Sequence, residues 1–332
     1  MIWYGHLNII MNKKIYVIIK GRSGNQLFQY AFARSIQETI GGELILDFSE
    51  MGFNKSKGKY GPRVRKDNVL DYFYVKPYTY VDSGTPYHKN LVQKFQFLIY
   101  RILRKVYLRF PNRIEGIASH TSGILQRMGI YYQFGTNSFL GFRKPSKSLN
   151  NILIRGWFES TSYFEPIKDL IKKELVISVP FSCPLESLNN KLLNEESVCI
   201  HVRRGDFLSE PYKNEFHICD LDYYRRGISL IEARYGNLLF FVCSDDIEWC
   251  KEHLFKNSSN VIYEPSGITI SDTIHLMTSC HHFVISNSTM SFWMQYLSNH
   301  PDKMVVAPSV WRRCDPPIKD IYMKEWTLID CK

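Results

Sequence analysis

Residues 198–206 read VCIHVRRGD, and the fold prediction starts from this stretch. Its first five letters are mostly apolar and β-branched, which is typical of a buried strand. Arg203, Arg204 and Asp206 follow the strand at once. Buried charges are costly unless they are paired. Two guanidinium groups at a strand exit therefore indicate either a site for an anionic ligand or a structural ion pair with Asp206, and the stretch alone does not choose between them.

Strands and helices alternate from this point to residue 308. Strands are predicted at 198–202, 237–244, 260–264, 282–286 and 303–308. Helices are predicted between them, at 221–236, 246–255, 271–281 and 289–300. This alternation predicts a doubly wound parallel α/β sheet of the Rossmann-like kind, in which ligands bind beyond the carboxyl ends of the strands.

A second β–α–β unit opens the chain. Residues 14–20 read as a strand, the loop GRSGNQ follows at 21–26, and a helix at 27–40 leads to a strand at 43–48. We therefore predict a second Rossmann-like unit near the start of the chain; with the family resemblance described below, the expected division is an acceptor-side domain at 11–180 and a nucleotide-binding domain at 181–332. Residues 51–90 and 113–150 show no clear period and are predicted to be loops and short irregular elements.

Composition narrows the class of partner. The 332 residues are 45% hydrophobic and carry a net charge of +10, so the chain can bury a core and favours anionic partners. Nucleic acid is disfavoured, because the basic residues do not cluster with aromatic ones as they do in nucleic-acid-binding modules. Acidic membrane surfaces and phosphate-bearing small molecules remain.

The eight cysteines lie in the second half of the chain and contain no C-x-x-C pair. This spacing argues against a zinc site and a disulfide framework and favours free thiols in a reducing compartment. Apolar runs are shorter than the roughly 20 residues of a spanning helix. The first residues lack the basic region of a signal peptide. We therefore expect a cytoplasmic protein.

Polar groups also follow two other predicted strands: Ser244, Asp245 and Asp246, and then Ser286, Asn287, Ser288 and Thr289. Guanidinium groups bind phosphate in bidentate fashion, and a helix N-terminus favours an anion. Carboxylates accept hydrogen bonds from a base or a ribose. Together these groups predict a nucleoside diphosphate along one edge of the sheet. The alternative is that the aspartates and the 287–289 stretch only cap the helices that follow them.

Several longer motifs carry a family resemblance. They are HVRRGD at 201–206, FFVCSDDIEWCKEHL at 240–254, HLMTSCHHFVISNSTMSFW at 275–293, DKMVVAPSVW at 302–311, GRSGNQLFQYAFARSI at 21–36 and GWFESTSYFE at 156–165. In order and spacing they resemble glycosyltransferase family 11, the α-1,2-fucosyltransferases. The H-x-R-R-x-D and G-x-x-G-N-Q motifs alone are shared with α-1,6- and protein O-fucosyltransferases.

The resemblance implies a GT-B-type architecture, with two Rossmann-like domains and the donor and acceptor cleft between them. It implies that Arg203 contacts the donor diphosphate, that His201 and Asp246 lie near the nucleoside, and that Asn25 faces the reacting sugar. The predicted catalytic residues are Arg203, Asp206 and Asn25. The predicted donor-binding residues are Gly24, His201, Arg203, Arg204, Asp245, Asp246, Asn287, Ser288, Thr289 and Ser291.

The implied activity is that of a galactoside α-1,2-fucosyltransferase. L-Fucose would pass with inversion from GDP-β-L-fucose to the 2-hydroxyl of a terminal galactose on an oligosaccharide or a lipid-linked glycan. The alternatives are a fucosyltransferase of another linkage, α-1,6 or protein O-linked, and a non-catalytic GDP-sugar-binding homologue. The general base stays open among Asp206, His217 and Glu159.

A metal is not expected, although the D-x-D at 220–222 has the form of a metal-binding motif. It leads directly into a helix, where capping is the favoured role. We therefore expect no cofactor and no metal, with Arg203 and a helix N-terminus stabilising the leaving group. Two positions depart from the family pattern, because Arg22 replaces a glycine and Phe292 replaces a tryptophan; both departures bear on the acceptor more than on the donor.

Residues 83–114 contain no Asp or Glu and seven Lys or Arg. On a helical wheel the basic residues share one face, and Phe95, Ile99 and Ile102 lie with other apolar residues on another. Residues 91–110 are therefore predicted either to touch anionic lipid, as a peripheral contact at the inner face of the cytoplasmic membrane, or to pack in the core with a solvated basic face.

Overall fold

The computed structural model describes residues 13–51, 53–54, 59–60, 68–84, 87–107, 114–133, 139, 141–210, 212–255, 259–313 and 318–331. Its strands are β1 Lys14–Ile18, β2 Glu43–Asp47, β3 Phe53–Asn54, β4 Lys59–Tyr60, β5 Thr79–Val81, β6 Ile130–Tyr132, β7 Asn151–Arg155, β8 Ser197–Val202, β9 Leu239–Ser244, β10 Val261–Tyr263, β11 His282–Val284, β12 Val305–Pro308 and β13 Thr327–Ile329.

Its helices are α1 Ser23–Ile40, α2 Leu91–Tyr107, α3 Ile114–Arg127, α4 Lys168–Glu174, α5 Glu186–Asn194, α6 Lys213–Phe216, α7 Leu221–Tyr235, α8 Ile247–His253, α9 Ile270–Thr278 and α10 Thr289–Leu297. Short 3-10 turns lie at Val69–Tyr72, Thr161–Tyr163, Glu165–Ile167, Cys183–Leu185 and Asp206–Leu208.

Two parallel sheets organise the described residues. The first has the strand order β5-β2-β1-β7-β6, and the second has the order β10-β9-β8-β11-β12-β13. All neighbouring strands within these two sheets run parallel. The second order is the 3-2-1-4-5-6 arrangement of a Rossmann fold, whose strand order reverses between β8 and β11. The prediction of doubly wound parallel sheets is confirmed.

The structure adds elements that the sequence patterns did not indicate. The stretch at 113–150, predicted to be irregular, contains α3 and β6, and the second sheet gains β13. Strands β6 and β13 have only three residues each, too few to show a period. Helix α1 begins at Ser23, four residues before its predicted start, so the G-x-x-G-N-Q loop is partly helical.

The segment between the two sheets divides near the predicted domain boundary. Helix α4 belongs with the first sheet, because Glu174 accepts hydrogen bonds from Arg34 of α1 at 2.7 and 2.9 Å. Ser182 contacts the second unit, since its hydroxyl donates to Asp272 of α9 at 2.8 Å. Residue 180 lies between these two sets of contacts, and the division into domains at that residue stays a prediction.

One apolar core joins the two sheets through α1 and α10. Phe28 of α1 packs on Phe292 and Trp293 of α10, with ring centroids 4.7 and 5.0 Å apart. Phe164 stacks on the other side of Trp293 at 5.6 Å. All four rings are buried. Phe292, which departs from the family pattern, is therefore a core residue, and the N-terminal ends of α1 and α10 are held side by side.

The described cysteines carry free thiols, as predicted, and five of them are buried. Burial raises the pKa of the Cys199, Cys219 and Cys280 thiols, which keeps them protonated and unreactive. Among the helices of the described chain, none combines the length and the apolar character needed to cross a membrane.

Candidate active site

The candidate site lies where the strand order of the second sheet reverses. Strand β8 ends at Val202 and is followed by Arg203 and Arg204. Its neighbour β11 ends at Val284 and leads through Ser286–Ser288 into α10. In doubly wound sheets, the crevice outside such a pair of strand ends is where ligands bind. The predicted site residues on these two exits are thus brought to one place by the topology.

Arg203 is held by two carboxylates. Its Nη2 donates to Oδ1 of Asp206 at 2.6 Å, and its Nη1 lies 2.8 Å from Oδ2 of Asp245. The guanidinium also lies over the ring of Phe207, 5.6 Å from its centroid. The side chain is 18% exposed. Arg203 is therefore fixed in orientation while part of it still faces the crevice.

Arg204 is held in a similar way. Its Nε donates to Oδ2 of Asp246 at 3.0 Å, and its backbone N–H donates to Oδ1 of Asp245 at 2.8 Å. The guanidinium stacks on Trp249 of α8, 3.8 Å from the ring centroid. The sequence patterns did not single out Trp249, although its place three residues after Asp246, in the first turn of α8, is a signal that an aromatic ring faces that carboxylate.

Asp245 and Asp246 serve different structural roles. Oδ1 of Asp246 accepts from the Trp249 N–H at 3.3 Å and caps α8, while its other oxygen receives Arg204. Asp245 bridges the two arginines. Capping and ion pairing therefore coexist in this turn. A capping role for these aspartates does not exclude a role in the site.

Gly205 is needed for this arrangement. A Cβ atom at this position would lie 2.6 Å from Oδ2 of Asp245, the oxygen that pairs with Arg203. Any side chain would push that carboxylate away. The ion-pair network thus requires a residue without a side chain at the glycine of the VCIHVRRGD stretch.

His201 faces the exit of β11 from within β8. Its Nδ1 hydrogen-bonds to the hydroxyl of Ser291, and it lies 3.2 Å from the hydroxyl of Ser286. Burial, and secondly the charge of Arg203, lower the pKa of His201 to about 4. The imidazole is therefore neutral near pH 7. Ser291 is buried and is used by His201, so the structure places it beneath the site.

The N-terminus of α10 supplies backbone donors. Ser288 is its N-cap residue, and no hydrogen bond from the Ser288 side chain satisfies the first turn. The first N–H groups of an α-helix have no partner within the helix and carry the positive end of its dipole. Asn287 points away, because its amide donates to the Phe216 and Trp311 carbonyls at 3.0 and 2.9 Å. A ligand contact from Asn287 stays a prediction.

The N-terminus of α1 meets that of α10. A Cβ atom on Gly24 would lie 2.4 Å from the carbonyl carbon of Thr289, so only glycine permits this approach. Asn25 joins the two units, since its Oδ1 accepts from the Thr289 hydroxyl at 3.2 Å and its Nδ2 donates to Glu159 at 2.8 Å. Gly24 and Asn25 therefore lie directly beside the predicted phosphate-binding turn, and their roles toward the donor and the reacting sugar stay predictions.

Glu159 is carried by a strained loop after β7. Phe158 has a φ of 55°, which is uncommon outside glycine and costs about 1–3 kcal/mol. Oε1 of Gln133 accepts from the N–H groups of Trp157 and Phe158 at 2.9 and 2.8 Å and holds the loop. The result is a buried carboxylate placed against Asn25. The supporting role of Gln133 was not visible in the sequence.

Arg22 links the first unit to Asp206. Its Nη2 lies 3.3 Å from Oδ2 of Asp206, and its side chain is 71% exposed. Asp206 is thus shared by Arg22 and Arg203, which favours an orienting role. His217, at the end of α6, has a pKa lowered by burial and by nearby cations, Arg204 first. The general base stays open among Asp206, His217 and Glu159.

The D-x-D motif takes part in the capping of α7. Oδ1 of Asp220 accepts from the Tyr223 N–H at 2.8 Å. Asp222 pairs with Arg226 on the next turn at 2.9 Å. Both carboxylates therefore have partners on their own helix, in agreement with the capping role predicted for this motif.

Comparison with solved structures supports the architecture. The fucosyltransferase NodZ from Bradyrhizobium aligns over 86% of this chain and 93% of that chain, with a TM-score of 0.50 at 11% sequence identity. This likeness concerns the fold. The two parallel sheets form a GT-B-type architecture, as the resemblance implied.

Curated relatives extend the comparison. The alpha-1,2-colitosyltransferase of Escherichia coli is 31% identical over 160 residues, which span 47% of this chain and 54% of that protein. The O-antigen biosynthesis glycosyltransferase WbnK of Escherichia coli is 26% identical over 316 residues, 90% of this chain and 94% of that protein. The first match thus spans about half the length of the relative. The model of glycosyl transferase family 11 matches residues 130–330, more than half of the chain and most of the candidate site, and the chain belongs to that family.

Proposed function

We propose that this enzyme transfers L-fucose, with inversion, from GDP-β-L-fucose to the 2-hydroxyl of a terminal galactose. The observation that carries the proposal is the pair Arg203 and Arg204 beside the open N-terminus of α10, at the reversal point of the second sheet. Such a constellation suits the diphosphate of a sugar nucleotide. Membership of family 11 supports a glycosyl donor.

The charge balance of the site supports a position at the N-terminus of α10 for the diphosphate. Arg22, Arg203 and Arg204 face Asp206, Asp245 and Asp246, so these six groups carry no net charge. The remaining positive potential comes from the unpaired N–H groups of α10. We expect the leaving phosphate to sit at that helix end, with Arg203 orienting it.

Negative charge grows on the leaving phosphate as the bond from the sugar C1 breaks. Donors that are already in place at that point stabilise the transition state more than the ground state. The carboxylates of Asp206 and Asp245 hold the plane of Arg203 before the donor arrives. Arg203 therefore needs little reorganisation, which is the condition for this kind of catalysis.

In an inverting single displacement, the acceptor hydroxyl attacks the sugar from the side opposite to the diphosphate. The first unit supplies Asn25 and Glu159 next to Thr289, the first residue of α10. We propose that the galactose binds against these groups. A positioned base contributes about 10²–10⁴-fold to such a step, and Glu159, Asp206 and His217 remain the candidates.

A second donor is favoured by one of the relatives. Colitose is L-fucose without its 3-hydroxyl, and the matched relative is described as an alpha-1,2-colitosyltransferase. The site proposed for the diphosphate and the nucleoside would be common to both donors. Only groups around the sugar 3-position distinguish them, so both GDP-sugars belong in the assay.

The reaction is proposed to need no metal ion. The α10 N-terminus, with Arg203 orienting the phosphate, is expected to stabilise the leaving group, and the D-x-D aspartates are engaged on α7. Full activity in excess EDTA is the expected result. Loss of activity in EDTA, restored by Mg²⁺ or Mn²⁺, would show that a metal carries the leaving group instead.

We also propose that the enzyme works in the cytoplasm. Free thiols on every described cysteine suit a reducing compartment. Galactose-terminated glycans under construction on a lipid carrier are the acceptors that such an enzyme would meet at the inner face of a membrane.

The deciding experiment is transfer by the purified full chain. GDP-fucose and GDP-colitose are each supplied with lactose, N-acetyllactosamine or a Galβ1,3-linked disaccharide, and the product linkage is read by NMR. An α-1,2 linkage to galactose supports the proposal. An α-1,6 linkage, transfer to a peptide, or GDP-fucose binding without any transfer or hydrolysis would replace it with one of the alternatives.

A further inference from the structure

The described contacts of helix α2 with the rest of the protein lie along one side of the helix. Asn90 caps it, with Oδ1 accepting from the Gln93 N–H at 2.9 Å while the Gln93 side chain accepts from the Asn90 N–H at 3.0 Å. Gln93 also donates to the Met128 carbonyl at 3.2 Å. Four residues on, Phe97 packs edge-on against Tyr132 of β6. Gln93 and Phe97 thus define the face of α2 that rests on the protein.

The opposite face exposes a stripe of large apolar side chains. Their exposed fractions are 82% for Leu91, 60% for Val92, 60% for Phe95, 51% for Leu98 and 54% for Ile102. Elsewhere in the described chain, exposed large aliphatic side chains are dispersed: Val176 follows α4, Leu193 lies on α5 and Leu230 lies on α7. Scattered exposure is normal on a protein surface, whereas a continuous stripe marks an interaction site.

The stripe is continuous along the helix. At about 100° per residue, Leu91, Phe95, Leu98 and Ile102 fall within an arc of about 60°. Lys94 and Arg101 are exposed and lie beside this arc, between the stripe and the anchored face. Long basic side chains in such positions extend toward the headgroups of a bilayer while their stems cover apolar surface. Packing of this face in the core is ruled out for Phe95 and Ile102.

The charge of the segment selects among possible occupants. Between Asp82 and Glu115 the chain carries seven lysines and arginines and no acidic residue. A second copy of the same stripe would bring two basic surfaces together and would be repelled. A nucleic acid offers no place for a central row of apolar side chains. A surface of anionic lipid provides both an apolar layer and negative headgroups.

We propose that α2 docks the enzyme on anionic lipid bilayers, with Leu91, Phe95, Leu98 and Ile102 inserted at the headgroup boundary. Lys94 and Arg101 then pair with lipid phosphates. The inference does not depend on the donor or the linkage of the transfer reaction, because it concerns a surface outside the ion-pair network at the sheet edge.

The test is flotation of the purified full chain with vesicles. Vesicles of phosphatidylcholine and phosphatidylglycerol in equal parts are compared with pure phosphatidylcholine. We expect binding to the first kind and at least a tenfold weaker partition to the second, with a further fall at high salt, since each basic residue near an anionic surface contributes about 1 kcal/mol.

Two variants and a matched control locate the contact. Phe95→Gln with Leu98→Gln removes half of the four-residue arc and should lower the partition coefficient at least about tenfold. Lys94→Glu with Arg101→Glu should do the same on anionic vesicles. Leu193→Gln with Leu230→Gln removes side chains that are 50% and 42% exposed on α5 and α7, and should leave binding unchanged.

Folding is checked on each variant by its urea midpoint and by transfer to a soluble acceptor, both of which should match the parent. Equal flotation of the parent and both α2 variants would overturn the proposal. So would an absence of flotation with anionic vesicles. The stripe would instead be assigned to a second copy of the chain if the parent sediments as a dimer and the variant with Phe95→Gln and Leu98→Gln sediments as a monomer.

Discussion

Arg203 combines charge with a fixed planar geometry, and replacing it by lysine separates the two. Lysine keeps the positive charge but cannot contact Asp206 and Asp245 at once while presenting a second donor edge to a phosphate. We expect Arg203→Lys to lower kcat/KM by about 10²–10³, with the fall mainly in kcat, as for the loss of one preorganised donor. Initial rates with GDP-fucose measure this.

Arg225→Lys is the matched control for Arg203→Lys. Arg225 is exposed on α7 and donates only to the His253 carbonyl in the hydrogen bonds seen. Its replacement should leave the kinetics unchanged. If Arg203→Lys is as active as the parent, the leaving-group role belongs to another residue, with Arg204 the first to examine.

The lowered pKa of His201 makes the free energy of unfolding depend on pH. Its pKa of about 4 in the folded chain lies below the value of about 6.5 expected for the unfolded chain. Between these values the unfolded chain takes up a proton that the folded chain excludes. The contribution of neutral His201 is therefore complete above about pH 6.5 and is lost as the pH falls toward 4, by as much as about 3 kcal/mol.

Urea unfolding at pH 7.5 and pH 5.0 tests this for the parent and for His201→Asn, whose amide keeps a polar group near Ser291. The parent should lose more stability on acidification than the variant. Other histidines with lowered pKa, such as His282, contribute equally to both proteins, so the difference isolates His201. His88→Asn, at an exposed site, should retain the parental loss. Equal losses in the parent and in His201→Asn would contradict the assignment.

The sequence identified individual site residues to the extent that topology determined their position. Arg203, Asp245 and Ser288 could be placed together because parallel strands end at the same edge of a sheet. The sequence could not show that Asn287 turns inward or that Trp249 supports Arg204, because both depend on side-chain packing between distant segments. Residue type and spacing do not encode such contacts.

At the scale of elements, the approach of α1 to α10 depends on one glycine. A methyl group on Gly24 would meet backbone atoms of Thr289 and Met290 at 2.4–2.6 Å, and backbone cannot yield as the end of a side chain can. We expect Gly24→Ala to cost about 1–3 kcal/mol of unfolding free energy. It should also lower kcat/KM, since Asn25 and Thr289 would separate. Thermal unfolding and initial rates measure the two effects.

Gly123→Ala provides the contrast in helix α3. A Cβ atom there would lie 3.7 Å from Nε of Arg143, an ordinary contact. Because alanine favours a helix interior over glycine, this variant should be as stable as the parent or more stable by about 0.5–1 kcal/mol. A Gly24→Ala variant with parental stability and activity would show that the two helix ends are not tightly coupled.

Elements were predictable where local signals marked their ends. Helix α7 begins after Asp220 and ends before Gly236, as the cap residues indicated, because caps are local signals. Strand β13 and helix α3 were missed. The first has three residues, and its pairing with β12 is a long-range contact. For α2 the amphipathic pattern was visible, but the pattern did not show which face contacts the protein. That face is set by Gln93, which donates to the carbonyl of Met128 just after α3, and by Phe97, which packs on Tyr132 of β6.

At the scale of the molecule, the two sheets share a core although each has its own topology. Buried residues from Ile15 in β1 to Trp326 before β13 form one contiguous cluster, which passes through α1 and α10. Domains joined by a small polar interface move and melt independently. A shared apolar core of this kind couples their unfolding instead. The shared core thus holds the two sheets together on one side of the cleft, which fixes the position of Asn25 relative to the α10 N-terminus.

This coupling predicts a single unfolding transition that Trp293 controls. Trp293 is fully buried between Phe28 and Phe164, so Trp293→Ala should cost about 3–5 kcal/mol. Thermal unfolding followed by far-ultraviolet circular dichroism and by tryptophan fluorescence should give one coincident transition in the parent, shifted to lower temperature in the variant. Leu193→Ala, at a half-exposed site on α5, should leave it in place. Two separated transitions in the parent would show that the sheets fold as independent units and that the shared core does not couple them.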